Sequence, residues 1–388
     1  MRKFTIPMLA FLFLISCTSK SDKVERIWED GVEVIINHLE HYKIKGEPSK
    51  LILEEEFRID TERDEILEIG LSDVYNVDVD SEGNIYLVNN PRKGKTIIFK
   101  FDEKGKFISS FGKKGQGPGE IINPSFFCIC KNDEIVITDF ARINTVMFNK
   151  KGEFLKEIRL PFRMRAVLPL ENGKYIGLRQ SIDREGFEPS LQSFLCLYSS
   201  EFSKIKELDR QRPFDYMTTD KIDGIPQIFH WEVHDRRIYT GNGRRGYEIS
   251  VYDLDGNLVR KIRKKYKPIE VPEEYKQNYM SQFPKNHRLR KKVFFSTNMP
   301  PYREFFVDDA GRIFVMTYEK NGNSEKYMYD IFNHEGILIM RKYLNILLSG
   351  ESWGMLNYVI TKKNKLYYLR TKDSGYKELV VYKMRWEL

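Results

Sequence analysis

The chain alternates short apolar segments with polar turns, and this pattern recurs along most of its length. Each copy has an aromatic residue at a strand end, then a polar turn, usually with Gly, then a second strand. Tight β-hairpin turns need positive φ angles, which Gly adopts freely and Asn or Asp tolerate. Copies begin at six aromatic positions: Phe101, Phe148, Tyr198, Tyr252, Phe332 and Tyr382. The pattern therefore predicts repeated hairpins of short β-strands.

A second hairpin turn precedes each of these six, so every unit contains four predicted strands. The intervals between copies are 47, 50, 54, 80 and 50 residues. Repeated units of four strands are typical of propeller blades, which bury both apolar faces only by stacking into a closed ring. The predicted fold class is all-β, a six-bladed β-propeller of four-stranded antiparallel blades.

Two segments outside the regular repeat also have predicted places. Residues 50–59 alternate enough to supply a strand that completes the last blade beside residues 379–386, and residues 28–37 predict an extra strand or a cap. The long interval contains Pro272 followed by acidic residues and by aromatics at positions 275, 279 and 283, which indicates a helix. We expect a helical insertion at about residues 266–295, between blades four and five.

The stretch 107–148 resembles an NHL-type repeat. It contains Phe111-Gly112, the glycine-rich loop 115–120, Pro124, the strand 135–139 and the segment 142–148, in that order. With Leu14-Ile15-Ser16-Cys17 near its start and the later opening Trp28-Glu29-Asp30-Gly31-Val32-Glu33-Val34, the whole chain resembles six-bladed β-propeller lipoproteins of Bacteroidetes type. NHL-like propellers include lyases and lactonases with a metal in the central channel, so the resemblance leaves an enzyme open. Strands flank the glycine-rich loop on both sides, whereas phosphate loops precede a helix, so we expect turn geometry there.

The N-terminus has the layout of a lipoprotein signal. Arg2 and Lys3 precede an apolar run that is too short to span a bilayer, and Leu14-Ile15-Ser16-Cys17 resembles the bacterial lipobox. We predict a signal peptide at residues 1–16, a lipid on Cys17, a flexible tether at 17–27 and a propeller at 28–388. The predicted location is the periplasmic side of the outer membrane, with surface display as the alternative. The other interpretation of the N-terminus is an ordinary secretory signal in which Cys17 carries no lipid.

His230, Glu232 and His234 alternate along a strand predicted to be innermost in its blade. Side chains two apart share a strand face, so the three can converge near the channel, where His with a carboxylate suits zinc or general-base chemistry. Hydrogen-bonded packing histidines are the alternative. After lipidation of Cys17, the odd number of remaining cysteines (Cys128, Cys130 and Cys196) predicts buried thiols and no disulfide framework.

Positive charge concentrates in one part of the chain, whose net charge is +8. Residues 230–295 contain 16 Lys and Arg against 8 Asp and Glu. This excess predicts a patch for an anionic glycan or lipid headgroup, with a solvated face as the alternative. The candidate residues are Arg260, Arg263, Lys264, Lys265, Arg288, Arg290, Lys291 and Lys292.

No serine-nucleophile motif, paired catalytic carboxylates or zinc motif stands out in the sequence. We therefore expect a monomeric, non-catalytic binding scaffold for a protein, peptide or glycan, bound at the end of the ring where loops join the blades. We expect neither a cofactor nor a nucleic-acid partner. The alternative hypothesis is an NHL-like lyase or lactonase with a channel metal, which would require His230 and His234.

Overall fold

A computed structural model describes residues 24–90, 92, 94–183, 190–211, 221–322, 324–348 and 358–388. Cys17, the signal segment 1–16 and most of the predicted tether lie outside the described residues. The chain forms six four-stranded antiparallel blades arranged in a ring, which confirms the predicted fold class. Among the described residues, no helix is both long and apolar enough to span a membrane.

The N-terminal elements precede the first blade in the chain. They are β1 (Glu25–Glu29), β2 (Val32–Asn37), β3 (Lys50–Asp60) and the short helix α1 (Asp64–Glu68). Blade one consists of β4 (Val74–Val79), β5 (Ile85–Asn89), β6 (Thr96–Phe101) and β7 (Phe107–Lys113). Blade two consists of β8 (Pro124–Ile129), β9 (Ile135–Asp139), β10 (Asn144–Phe148) and β11 (Phe154–Arg159). Blade three consists of β12 (Met164–Pro169), β13 (Tyr175–Asp183), β14 (Ser190–Tyr198) and β15 (Lys204–Gln211).

Blade four follows the short strand β16 (Ile222–Asp223). It consists of β17 (Phe229–His234), β18 (Arg237–Asn242), β19 (Glu248–Asp253) and β20 (Leu258–Lys264). The helix α2 (Glu273–Ser281) and the strand β21 (Val293–Phe294) come next. Blade five consists of β22 (Glu304–Val307), β23 (Ile313–Lys320), β24 (Tyr327–Phe332) and β25 (Leu338–Leu344). Blade six consists of β26 (Val359–Lys362), β27 (Lys365–Thr371), β28 (Lys377–Glu387) and β3.

The core lies between the faces of neighbouring blades. β5 and β9 are buried along their whole length, because each second strand is covered by a blade on both sides. One hydrophobic cluster joins blades one and two, another joins blades five and six, and others fill the remaining interfaces. Burial on both faces explains why these strands are almost continuously apolar.

The ring is closed by strands from both ends of the chain. β3 pairs antiparallel with β28 along its whole length, with Asp60 opposite Glu378 at one end and Lys50 opposite Glu387 at the other. Leu51 and Ile59 of β3 are buried in the two cores that flank blade six. The predicted closing strand is therefore confirmed.

The N-terminal hairpin extends blade four to six strands. β2 pairs parallel with β20, and β1 pairs antiparallel with β2. The predicted extra strand is confirmed, but ordered structure begins earlier than residue 28, because Glu25 to Ile27 already pair with β2. The chain then crosses the outer edge of blade five, where the Tyr42 N–H donates to the Leu338 carbonyl at 2.8 Å.

The predicted insertion lies between β20 and β22. Besides α2 it contains a 3-10 turn at Arg288–Lys291, and β21 pairs parallel with β16. Tyr279 packs against Phe283 and Phe295, with ring centroids 5.7 Å apart in both contacts. The aromatic spacing that predicted the helix thus forms the insertion's own small core.

Candidate functional site

The innermost strands of the six blades surround a central channel with a cavity of about 240 Å³. Pairing within the first hairpins places one channel residue of each blade at the same level. In blade order these residues are Asp78, Cys128, Leu168, Glu232, Phe306 and Ile360, and all six line the cavity. This layer therefore has an acid on blade one and another on the opposite blade, four, with two less polar residues between them on each side.

Glu232 is the predicted site residue with the most perturbed chemistry. Its Oε2 accepts one hydrogen bond, from the Val307 N–H at 3.0 Å. The side chain of Glu232 is half-buried, because it faces the channel, and the channel itself is enclosed by the six blades. Burial away from water raises the pKa of Glu232 to about 8; the Val307 N–H opposes this, and the nearby acids Glu304 and Asp308 add to it. The carboxyl is therefore mostly protonated at neutral pH.

His230 contacts a carboxylate from the neighbouring blade. Its Nδ1 lies 3.0 Å from Oε1 of Glu304, and only 12% of the histidine side chain is exposed. The two groups are close but lack hydrogen-bond alignment, which leaves Nδ1 as a buried nitrogen without a hydrogen bond. The edge of the ring also packs on Phe305, with centroids 4.6 Å apart. His230 is thus held by blade five, which sequence spacing alone cannot indicate.

His234 lies where the channel opens at the end opposite the blade connections. It lines both the channel and a cleft of about 690 Å³, as does Asp309. Burial lowers the pKa of His234, although the surrounding aspartates oppose this. The imidazole is therefore neutral at neutral pH.

All three predicted residues line the channel, but they do not form a metal centre. Among the described residues, no group of three or more His, Cys, Asp or Glu has an arrangement that could hold a metal ion. Their alternating neighbours Trp231 and Val233 pack in the core between blades, as a period of two predicts. The structure thus brings the three to one channel, with Glu232 bonded to Val307 and His230 beside Glu304.

Asp78 is a channel residue that sequence analysis missed. Its two oxygens accept hydrogen bonds from the N–H groups of Ile129 and Val79, both at 2.7 Å. Burial raises the pKa of Asp78 to about 6 against these two bonds and the charge of Lys362. Aligning the first hairpin of blade one with that of blade four would have placed it at the level of Glu232.

The other sequence motifs have structural explanations. In the glycine-rich loop, the Glu120 carboxylate accepts a hydrogen bond from the Gly117 N–H at 2.8 Å. A backbone N–H that could bind a phosphate is therefore already bonded to an acidic side chain of the same loop. The three described cysteines are free, with Cys128 and Cys196 buried. No disulfide framework exists among these residues, as predicted.

The first half of the predicted basic patch is paired with acids. Arg260 lies 2.8 Å from Glu33, and Arg263 contacts both Glu29 and Glu248. Lys264 is buried and lies 3.2 Å from the buried Asp330. Of this run, Lys265 is exposed to solvent. The N-terminal hairpin therefore neutralises much of β20.

The second half of that patch lies on the insertion. Arg290 Nη1 donates to the carbonyl of Met280, in the last turn of α2, at 2.7 Å and to that of Phe283, just beyond the helix, at 3.0 Å. Arg288 and Lys291 are exposed, and Lys292 is half-buried. The two halves thus have different roles, and Arg290 stabilises the fold of the insertion.

A larger cleft opens at the end of the ring where the blades are connected. Its volume is about 910 Å³, it lies between blades five and six, and it shares Tyr358 with the channel. Four cations and four acids line it: Lys320, Arg370, Lys372, Lys377, Glu62, Glu325, Asp373 and Glu378. The lining formed by the described residues is therefore highly polar, with equal numbers of cationic and acidic side chains.

Comparisons with known proteins agree with the fold. The family model DUF5128, described as a 6-bladed beta-propeller, matches residues 63–221. A predicted exported protein of Bacteroides fragilis is 14% identical, with a TM-score of 0.52 over 92% of this chain and 100% of its own. A member of the DUF4221 family from Bacteroides vulgatus is 11% identical, with a TM-score of 0.51 over 87% of this chain and 99% of its own. No curated protein matches the sequence. At these identities the structural likeness establishes the fold alone.

Proposed function

We propose that this protein is a cell-envelope lipoprotein that binds a ligand in the cleft between blades five and six and does not catalyse a reaction. The lipid on Cys17 holds it at the periplasmic side of the outer membrane as a monomer. The observation that carries the binding role is the cleft of about 910 Å³ at the blade-connection end. Its size falls within the range of ligand sites, and turns on a rigid scaffold are common places for recognition.

The lining of the cleft favours an uncharged ligand rich in hydroxyl groups, which is a neutral glycan. Four cations and four acids cancel, so a polyanion gains no net attraction. Several of these charges already hold one another in place: Arg370 bonds Glu378 at 2.7 Å, and Lys372 bonds Glu62. Positioned guanidinium and carboxylate groups present donors and acceptors of the kind that hydroxyl groups need.

A glycan array and a peptide array, both probed with the detergent-solubilised full-length protein, test this proposal. We expect binding to neutral glycans, weakened about tenfold by Lys320→Ala, since one hydrogen bond to a charged group is worth about 1.5 kcal/mol or more. Lys104→Ala, an exposed lysine in a turn of blade one, is the matched control and should bind normally. Binding to peptides alone, or equal binding by both variants, would overturn the glycan proposal.

Anchoring has a separate test. Cys17→Ser should abolish incorporation of labelled fatty acid and release the protein from the membrane fraction. Protease added to intact cells should leave the wild-type protein uncut if it faces the periplasm. Cleavage in intact cells would place it on the surface instead.

A further inference from the structure

The channel holds two carboxyl groups on opposite blades, and this arrangement is independent of the cleft. Asp78 projects from blade one and Glu232 from blade four, at one level of the ring. Two residues without charge separate them on each side: Cys128 and Leu168 on one, Phe306 and Ile360 on the other. A molecule lying between the two acids would thus meet polar groups at its ends and mainly apolar groups along its length.

The net charge of the channel wall favours a cation. Even without Glu232, which is mostly protonated at neutral pH, the wall has three acidic side chains, Asp78, Glu304 and Asp309, against one lysine, Lys362. Glu232 has one hydrogen bond, from Val307, and its other oxygen has no partner among the described residues. The wall therefore has unused capacity to bind a polar group.

The shape and ligand set point to an organic cation rather than a metal ion. Within the described parts of the chain, no three potential ligand residues gather closely enough for a metal. The cavity of about 240 Å³ exceeds the roughly 150 Å³ that accommodates benzene, so a molecule of six to eight heavy atoms fits. The cavity lies between two clefts and shares Tyr358 with one and His234 with the other.

We propose that the channel is a binding site for a short linear aliphatic diamine, with one ammonium group at Asp78, the other at Glu232, and the methylene chain between the apolar residues. Each ammonium forms a charge-assisted hydrogen bond with a carboxylate in an enclosed site. The methylenes remove apolar surface of the half-buried Leu168 and Ile360 from water.

Calorimetric titration of the detergent-solubilised full-length protein with 1,4-diaminobutane and 1,5-diaminopentane tests the proposal. Pentylamine and 1,5-pentanediol are matched probes with one and no ammonium group. We expect the better diamine to bind about 10- to 100-fold more tightly than pentylamine, the equivalent of one hydrogen bond to a charged group. The diol should bind least. These comparisons use the unaltered protein, so they do not depend on how a variant folds.

Two variants assign the ends of the ligand. Asp78→Asn and Glu232→Gln keep the side-chain shapes, and each should reduce diamine affinity to about that of pentylamine. Glu40→Gln, an exposed acid outside both the channel and the cleft, should bind the diamines normally. At pH 7 the diamine should also displace the proton of Glu232, so heats measured in buffers with different ionisation enthalpies should differ for the wild type and not for Glu232→Gln.

Three results would overturn the channel site. They are a diol that binds as tightly as the diamines, diamine affinity that neither Asp78→Asn nor Glu232→Gln changes, and no binding of any diamine with three to six methylenes. None of these results bears on glycan binding in the cleft, because Asp78 and Glu232 do not line it.

Discussion

Glu232 should make the stability of the ring depend on pH, and Glu232→Gln should remove that dependence. The pKa of Glu232 is about 8 in the folded protein against 4.5, the usual value for a glutamic acid. A tenfold change in proton affinity corresponds to about 1.4 kcal/mol, so this difference corresponds to at most about 5 kcal/mol. Water in the channel will screen the charge, so we expect about 2–5 kcal/mol.

The sign follows from proton binding. Between pH 4.5 and pH 8 the folded state holds the Glu232 proton more tightly than the unfolded state does, so the free energy of unfolding falls as pH rises through this range. A glutamine has no proton to lose, and its oxygen can still accept the Val307 N–H. Glu232→Gln should therefore match the wild type most closely near pH 4 and exceed it in stability most at pH 9.

Urea denaturation followed by tryptophan fluorescence at pH 4, 7 and 9 measures this effect. The quantity of interest is the difference in free energy of unfolding between Glu232→Gln and the wild type at each pH. The exposed Glu325→Gln should give a difference close to zero throughout. A difference for Glu232→Gln that stays constant from pH 4 to pH 9 would refute burial as the cause of its raised pKa.

Two further predictions concern packing. Gly152→Ala should destabilise the protein by about 2 kcal/mol or more, because φ is +83° and an added Cβ would overlap the Phe111 ring. Gly173→Ala is the matched control: its φ is +78° but the space around the Cβ is open, so it should cost about 1 kcal/mol. Equal losses of stability for the two variants in thermal denaturation would contradict this argument. Asp330→Asn should cost about 3–5 kcal/mol in urea denaturation, because the buried Asp330 carboxylate is the counter-charge of both Lys264 and Arg341. A loss below about 1 kcal/mol would show that this buried ion cluster does not stabilise the fold.

The ring could be predicted because its signals are local. A turn with Gly, Asn or Asp and the apolar segments beside it lie within ten residues of one another, and each blade repeats them. The closing strand β3 was predictable for a related reason: a terminal blade with an unpaired edge needs a partner, and residues 50–59 were the alternating segment available. The aromatics at positions 275, 279 and 283 indicated the helix in the same way.

The place of the N-terminal hairpin was not predictable from local pattern. The outer strand of every blade offers similar backbone hydrogen-bonding groups, so alternation in residues 28–37 indicates a strand without indicating its neighbour. In the structure, side chains contribute to the choice: Asn37 Nδ2 donates to the Arg263 and Gly336 carbonyls, and its Oδ1 accepts the Leu338 N–H. These contacts join residues more than 220 positions apart.

For the candidate site as well, the local pattern predicted the strand face, whereas the contacts with other blades could not be predicted. A period of two placed His230, Glu232 and His234 on one face of a strand, and the structure puts all three in the channel. Their chemistry depends on residues of other blades, such as Glu304 beside His230. Asp78 lies 154 positions before Glu232 and shares its level only because the blades superpose. Sequence could give the face of a strand but not what stands across the channel.

Clustered charge in a sequence measures composition, whereas a surface field depends on which charges remain unpaired. Arg260 and Arg263 belong to a run that predicted a basic patch, yet Glu29 and Glu33, more than 220 residues earlier, lie against them. Arginine beside carboxylate in paired geometry contributes little net field at a distance of a Debye length, about 8 Å in physiological salt. Any anionic partner should therefore be sought at the insertion, where Arg288 and Lys291 are exposed, and not along β20.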